Sequence, residues 1–438
     1  MLVRLFVFAS LLLSQNLNAE TLETWLGSEE KIAIIQMSKN ISPEGTRKGV
    51  IIASPPHQDP DYYFHWVRDS ALVMNSLFQI SGLVDPAWVA QTFQDYASFS
   101  QILQNTPTLT GLGEPRFNVD GSAYNGPWSR PQNDGPALRI LTLLSGPSSS
   151  IVKAIIHTDL GYLLSHSQDS SFDLWEELRG DHFYTRIVQL AAITKVLGHP
   201  ELYDQTQAAN IESVILLLQN ELDSHWLQEK KYMRATLNRI EGAEAYKHTD
   251  LDSAVILGVL HASLDSEKFS VRDDRILSTA TALEEAFQAA YEINNTQISA
   301  APAIGRYTDD VYFGGNPWCI TTFAFAELNY RLSHSLQNNS RYLVTDLNQK
   351  FLNEALSAIP ADSEALILGI NLSEKPLLLA KIVNGLKARG DLYMQRIRLN
   401  TPVGGELSEQ FNRKNGAQLS AKNLTWSYAS FLTAVQAR

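Results

Sequence analysis

The chain has 438 residues, 44% hydrophobic and 19% charged, a balance that supports a large packed core and excludes an intrinsically disordered chain. Its formal net charge of −12 disfavours nucleic-acid phosphates and anionic membrane surfaces as partners, and suits a neutral ligand such as a sugar as well as it suits plain solubility. The single cysteine, Cys319, rules out an internal disulfide, and its neighbours Trp318 and Ile320 mark it as a small buried hydrophobe.

The N-terminus opens with one basic residue, Arg4, an apolar run over 5–13, a polar stretch over 14–18 and then Ala19. That pattern is expected of a secretory signal peptide over 1–19, with secretion or periplasmic export as its consequence. No later segment reaches about 18 uninterrupted apolar residues, so 20–438 is expected to be one soluble domain with no membrane contact, and a monomer. Asp85-Pro86 predicts a capped helix start, and Val89, Phe93, Tyr96 and Leu103 follow at helical spacing. Ile187, Leu190, Ala191 and Leu197 form another apolar face, stopped by Gly198 and Pro200. Further faces run through Ile211, Val214, Ile215, Leu218 and Leu222, through Leu283, Phe287 and Tyr291, and through Leu377, Ile382 and Leu386. Asn316-Pro317 predicts a second capped start, and the last helix is expected to begin near Ser420. Strand signals are confined to 48–53 and 393–399. The expectation is an all-α fold of roughly a dozen helices.

Between the helices lie long segments rich in Gly, Pro, Trp, Asp and Asn, at 55–68, 111–136, 171–181, 304–317 and 404–416. Such long loops in a compact domain are functional or disordered, and the tryptophans in and beside them (Trp66, Trp128, Trp175, Trp318) argue for order. Each combines carboxylates or guanidinium groups with aromatic rings. Aromatic faces cover the C–H patches of a pyranose, and charged groups hydrogen-bond its hydroxyls, so the mixture suits a sugar. Arg68 beside Asp69, and Arg306 near Tyr307 and Asp310, can serve vicinal hydroxyls. Cleaving a glycosidic bond needs two carboxyl groups, one to protonate the leaving oxygen and one to activate water. Either Glu176 or Glu177, following Trp175, could be the acid, and Glu409 is a candidate for the second group. An inverting pair stands roughly 6.5–9.5 Å apart and a retaining pair about 5–5.5 Å, a distinction no spacing along the chain provides. Each of these signals alone is common in structural roles; their joint occurrence in five loops is not.

The segments at 62–69, 113–139, 173–177, 306–318 and 408–428 resemble those of glucoamylases, the inverting exo-acting glucan 1,4-α-glucosidases of glycoside hydrolase family 15. The likeness runs from about Ile51 to the C-terminus. It implies an (α/α)6 toroid with a blind pocket walled by loops at one end, and cleavage of terminal α-1,4 bonds, more slowly α-1,6, with release of β-D-glucose from starch-type chains. By the same resemblance Glu176 is the general acid and Glu409 the general base. Arg68, Asp69 and Arg306 grip the terminal glucose, Glu177 and Trp128 hold the next sugar, Trp318 walls the pocket, and Tyr62 lies beside the catalytic water. Asp173 and Gln410 support the two carboxylates, and Trp66, Trp175, Tyr307 and Asp310 belong to the same substrate-binding set. Two departures, His65 and Asn133, leave the catalytic chemistry intact. No starch-binding module is expected. No cofactor or metal is implied: protonation and water attack need only carboxylates, and His57, His182, His248 and His261 lack metal-ligand spacing. The competing readings are the same fold acting on trehalose, isomaltose or dextran, and a non-catalytic glucan-binding protein, which would have no use for an opposed acid and base.

Overall fold

The computed structural model describes residues 21–56, 60–242, 246–360 and 366–438, so the signal reading of 1–19 and His57 lie outside the described residues. Six helices form a closed inner ring, each packed against the next. They are α2 (Val67–Gln79), α4 (Gly135–Ser145), α6 (Phe183–Leu197), α8 (Ala254–Ala262), α11 (Cys319–Asn338) and α14 (Thr425–Gln436). Around them stand α1 (Leu22–Lys39), α3 (Pro86–Asn105), α5 (Ser150–His166), α7 (Gln205–Ser224), α9 (Asp274–Ala290) and α13 (Pro376–Asn400), with the short α10 (Glu292–Thr296) and α12 (Gln349–Ser357) filling in. This is the expected (α/α)6 toroid.

Apolar coverage sorts the two rings. In α6, twelve of fifteen residues are buried, so it can only stand inside; in α7, four of twenty are, a single stripe of Gln207, Ile211, Leu218 and Leu222. Inner and outer helices are also tied by charge: Arg139 of α4 donates to Asp159 of α5 at 2.7 and 2.6 Å, with both side chains buried.

The connections alternate in length. Four inner helices lead to outer ones through short turns at 80–85, 146–149, 198–204 and 263–273, whereas α11 reaches α13 through the longer 339–375, which carries α12. Outer helices lead back through 40–66, 106–134, 167–182, 225–253, 291–318 and 401–424, all gathered at the N-terminal ends of the inner helices. Minimal strands pin these loops. β1 (His65–Trp66) pairs β2 (Arg116–Phe117), and β3 (Ser171–Phe172), β4 (Leu178–His182) and β7 (Thr236–Gly242) form one antiparallel sheet. β5 (Trp226–Leu227) pairs β6 (Tyr232–Met233), and β8 (Gln410–Phe411) pairs β9 (Gln418–Leu419).

Several local expectations change. Asp85 caps α3 as predicted, its carboxylate accepting from Ala87 N–H. Asn316 caps nothing: α11 starts after Trp318, and the Asn316 amide instead donates to Phe313 C=O and Gln410. The last helix starts at Thr425, because Ser420 takes a left-handed φ of 62° incompatible with a helix start. The stretch 393–399 is helical, within the 25 residues of α13, whose burial at Tyr393, Met394, Arg396 and Ile397 follows the helical repeat. Leu377 of α13 is 82% exposed and takes no part in the face with Ile382 and Leu386. At 48–53 there is only a single bridge, Ile41 to Ile51. Cys319 is buried and free.

Candidate active site

Five of the six long loops, all but 225–253, line one cavity of about 750 Å³, within the range of small-molecule sites. It opens past the exposed Asp61, Pro127 and Phe313 and closes on the buried Arg68, Trp318 and Glu409. Of the residues singled out in the sequence, Tyr62, Trp66, Arg68, Asp69, Trp128, Trp175, Glu176, Glu177, Arg306, Trp318 and Glu409 line it. Asp173, Tyr307, Asp310 and Gln410 do not; they stand behind the lining and hold it.

Glu176 sits on a turn built to present it. Its amide donates to Asp173 C=O at 2.9 Å, and the Asp173 carboxylate then accepts the N–H groups of Glu177 and Leu178 at 2.8 and 3.1 Å. That winding puts Glu176 at φ +65°, a strained conformation for a side-chain-bearing residue, of order 1–3 kcal/mol. Ser129 holds the Glu176 carbonyl. The carboxylate Oε1 accepts from the Trp66 indole at 2.8 Å and from Gln132 at 2.9 Å, with Arg68 at 3.7 Å. Gly242 of β7 lets the next strand come close: a Cβ there would lie 2.0 Å from the Glu177 carbonyl.

Beneath this turn is a buried ionic knot. Lys247 stands 2.7 Å from Asp252 and 3.5 Å from Asp173, and the Trp175 indole donates to both Asp252 oxygens at 3.0 and 3.1 Å. Burial opposes charge on Asp173, but Lys247 and the backbone donors win and hold its carboxyl below its ordinary value.

Glu177 points the other way, accepting from Arg306 at 2.8 Å and from the Tyr307 hydroxyl at 2.5 Å. Arg306 is fixed in turn by Asp310, two bonds of 2.8 and 2.6 Å, and its guanidinium lies 5.0 Å from the Trp318 ring centre and 5.5 Å from that of Trp175. Tyr307 is thus a support for Glu177 rather than a wall.

Glu409 arrives from the last loop. Its Oε2 accepts from Ser420 Oγ and, at 3.1 Å, from Gln410 Nε2, which leaves Oε1 out of both bonds. Burial pushes its carboxyl up to about 7, opposed by the Ser420 hydroxyl, the Arg306 charge, and hydrogen bonds from Gln410 and Tyr62. Tyr62 feels both Glu409 and Glu176 and shares a 2.8 Å hydrogen bond with Tyr312.

Opposite these stands Arg68, donating at 2.9 Å to both Gln132 and Asp134. Its Nε and Asp69 Oδ2, 3.5 Å apart, have no hydrogen-bond partner, and neither do the indole N–H groups of Trp128 and Trp318. Burial raises Asp69 to about 6 against the pull of Arg68. Four buried polar atoms of cavity-lining residues, three donors and one acceptor, thus lack a hydrogen-bond partner.

The residues 31–436 match the model of glycosyl hydrolases family 15. The chain belongs to that family. It is a glycoside hydrolase of the glucoamylase type. It is 33% identical to a glucoamylase of Blastobotrys adeninivorans over 96% of this chain and 72% of the relative. It is 31% identical to the intracellular sporulation-specific glucoamylase of Saccharomyces cerevisiae over 96% and 85%. Among solved structures, the family 15 glucoamylase of Hypocrea jecorina superposes with a TM-score of 0.84 at 30% identity, covering 95% of this chain and 72% of that one. The glucoamylase of Saccharomycopsis fibuligera gives 0.83 at 29%, covering 95% of both.

Sequence reasoning passed over Gln132, Asp134, Tyr312 and Ser420, although each lies inside a segment it had marked. Lys247 and Asp252 carried no signal, since a buried lysine reads like any solvated one. No group of three or more potential metal-ligating side chains occurs among the described residues. Replacing Lys247 with Met leaves two buried carboxylates facing each other. Lys247→Met should lower stability by about 3–5 kcal/mol in urea unfolding, with kcat falling alongside; an unaltered unfolding midpoint would remove the knot from the account.

Proposed function

We propose that this glucoamylase-type hydrolase inverts, with Glu176 as the acid that protonates the glycosidic oxygen and Glu409 as the base that takes a proton from the attacking water. The reading is supported above all by one observation: the two carboxylates come from different loops onto the same cavity in contrasting environments. Glu176 is held by an indole and an amide, while Glu409 is buried with one oxygen tied back by Ser420 and Gln410 and the other outside those two bonds. In the transition state the glycosidic C–O bond breaks as the proton moves from Glu176 to the leaving oxygen. Water adds to the anomeric carbon from the opposite face and passes its proton to Glu409, so β-D-glucose leaves and the two carboxyls exchange protonation states.

Arg68, Asp69, Arg306 and Trp318 are then the grip on the terminal glucose, and Glu177 and Trp128 the site of the next sugar. A pocket closed at the floor takes a chain end, which accounts for exo action. The preferred bonds are terminal α-1,4 links, with α-1,6 slower. The reading places the work in one catalytic domain over 20–438, acting as a monomer after export. Its support for export is the pattern of residues 1–19, and no described helix is long and apolar enough to cross a membrane.

Glu176→Gln and Glu409→Gln should each lower kcat by about 10²–10⁴-fold in folded protein that still binds sugar, and near-wild-type turnover in either would remove that residue from its role. Proton NMR of the anomeric region in the first minutes of maltotetraose hydrolysis should show β-glucose with maltotriose; early α-glucose would mean retention and end the opposed-carboxylate mechanism. The base must be ionised, so its raised pKa sets the acid limb of kcat/KM above the ordinary carboxylate range. Ser420→Ala removes a donor to the charged form, which raises the Glu409 pKa further. The limb should therefore move to higher pH in a pH–rate profile, and a limb that stays in place or falls would deny Glu409 control of it.

A further inference from the structure

Arg116 is unlike the other arginines of the cavity. Arg68 and Arg306 lie against carboxylates, whereas Arg116 lies among rings. Its guanidinium carbon is 3.4 Å from the ring centre of Trp128, 3.8 Å from Tyr124, 4.3 Å from Phe64 and 5.1 Å from Trp66. Those four rings also touch one another edge-on in a closed circuit. Phe64 meets Trp66 at 6.0 Å, Trp66 meets Trp128 at 6.0 Å, Trp128 meets Tyr124 at 6.3 Å, and Tyr124 meets Phe64 at 5.3 Å. The side chain is 3% exposed and its Nε has no hydrogen-bond partner. A cation is an awkward filler for such a box unless its charge is used: burial disfavours the charge, and Tyr124 and the nearby Glu176 carboxylate oppose that only in part.

Two members of the box reach the chemistry. The Trp66 indole donates at 2.8 Å to Glu176 Oε1, and Arg116 is the cross-strand neighbour of Trp66 in the β1–β2 ladder. Trp128 lies where the second sugar is placed above. We propose that Arg116 is a positioning residue for proton donation: held in the aromatic box, it fixes the Trp66 indole that aims the Glu176 carboxyl at the leaving oxygen. The proposal rests on Glu176 being the acid. No hydrogen bond or ion pair joins Arg116 to Glu409, so its effect is assigned to the step in which the leaving group is protonated.

That step can be isolated by substrate choice. Maltose needs its departing alcohol protonated, whereas α-D-glucosyl fluoride loses fluoride with far less help from an acid and carries no second ring. Wild type, Arg116→Met, Arg116→Lys and Glu176→Gln are compared on both, with thermal unfolding as the check of fold. Arg116→Met should lower kcat on maltose roughly tenfold or more, with KM changed less than about threefold and turnover of the fluoride changed less than about threefold. Arg116→Lys, which keeps the charge but not the planar stack, should recover part of the loss. Should Arg116→Met not fold, the lysine variant carries the same comparison, with a smaller loss still confined to maltose. Equal losses on both substrates, a rise in KM alone, or an unchanged kcat on maltose would each overturn the proposal. Glu176→Gln separates the two levels. If it turns maltose over normally, the acid assignment fails and takes this inference with it. If it loses maltose and keeps the fluoride while the Arg116 variants lose neither, only the role of Arg116 fails.

Discussion

Long loops must find partners for every buried backbone group, and here they find them in one another. The first loop meets the second through the Trp66–Arg116 pair, and the second meets the third through Phe172 N–H to Pro131 C=O at 2.8 Å. The third and fourth share the β4–β7 ladder, and Ser253 N–H to Arg306 C=O at 2.9 Å joins fourth to fifth. Cys319 N–H to Glu409 C=O at 3.0 Å joins fifth to sixth, and Thr425 N–H to Ala53 C=O at 2.8 Å closes the belt. Each tie satisfies polar groups that would otherwise be stranded over an apolar barrel. Because the belt is closed, a shift in any loop strains its two neighbours, so six separate segments behave as one rigid rim. The Glu176 and Glu409 carboxyls, from the third and sixth loops, hold a fixed relation only because of it.

The site also gathers an unusual number of carboxylates: Asp69, Glu176, Glu177 and Glu409 around one cavity, with Asp310 behind Arg306. Mutual repulsion would scatter them without offsetting charge. Arg68, Arg306 and Lys247 supply part of it. The inner helices supply more, since all six direct their N-terminal ends at the cavity, and the partial positive charge there favours anions. The field is not uniform. Asp173 receives a cation and two backbone donors and is held low, whereas Glu409 is enclosed with neutral donors and is raised.

How much of this was legible in the sequence follows from what each level depends on. Helix periodicity and the Asp85-Pro86 cap are local, and they were readable. The loops were readable as loops because tryptophan, glycine and carboxylate cluster there. Where reading failed, distant contacts decide. Nothing local distinguishes 393–399 as helix from strand; its place in α13 is set by packing on α11. The last helix was expected to begin near Ser420, but that hydroxyl goes to Glu409 and its backbone turns left-handed. Tyr307 and Asp310 looked like sugar contacts beside Arg306, yet each faces inward to brace a carboxylate or a guanidinium. Residue types announce the chemistry of a site; which of them touch ligand and which hold their neighbours depends on side-chain direction, which the chain order does not encode.

The unfulfilled atoms on the cavity wall are the other face of that bracing. Arg68 spends one nitrogen on Gln132 and Asp134, its Nε stands 3.5 Å from Asp69 without a hydrogen bond, and the Trp128 and Trp318 indoles donate to nothing. A protein that could relax would turn such groups toward any available acceptor, because a buried donor without a partner costs about 1–3 kcal/mol. They remain unpaired because the belt and the stacked rings allow no such turn. A ring entering the cavity therefore meets side chains already held in place, and little of its binding energy is consumed in reorganising them.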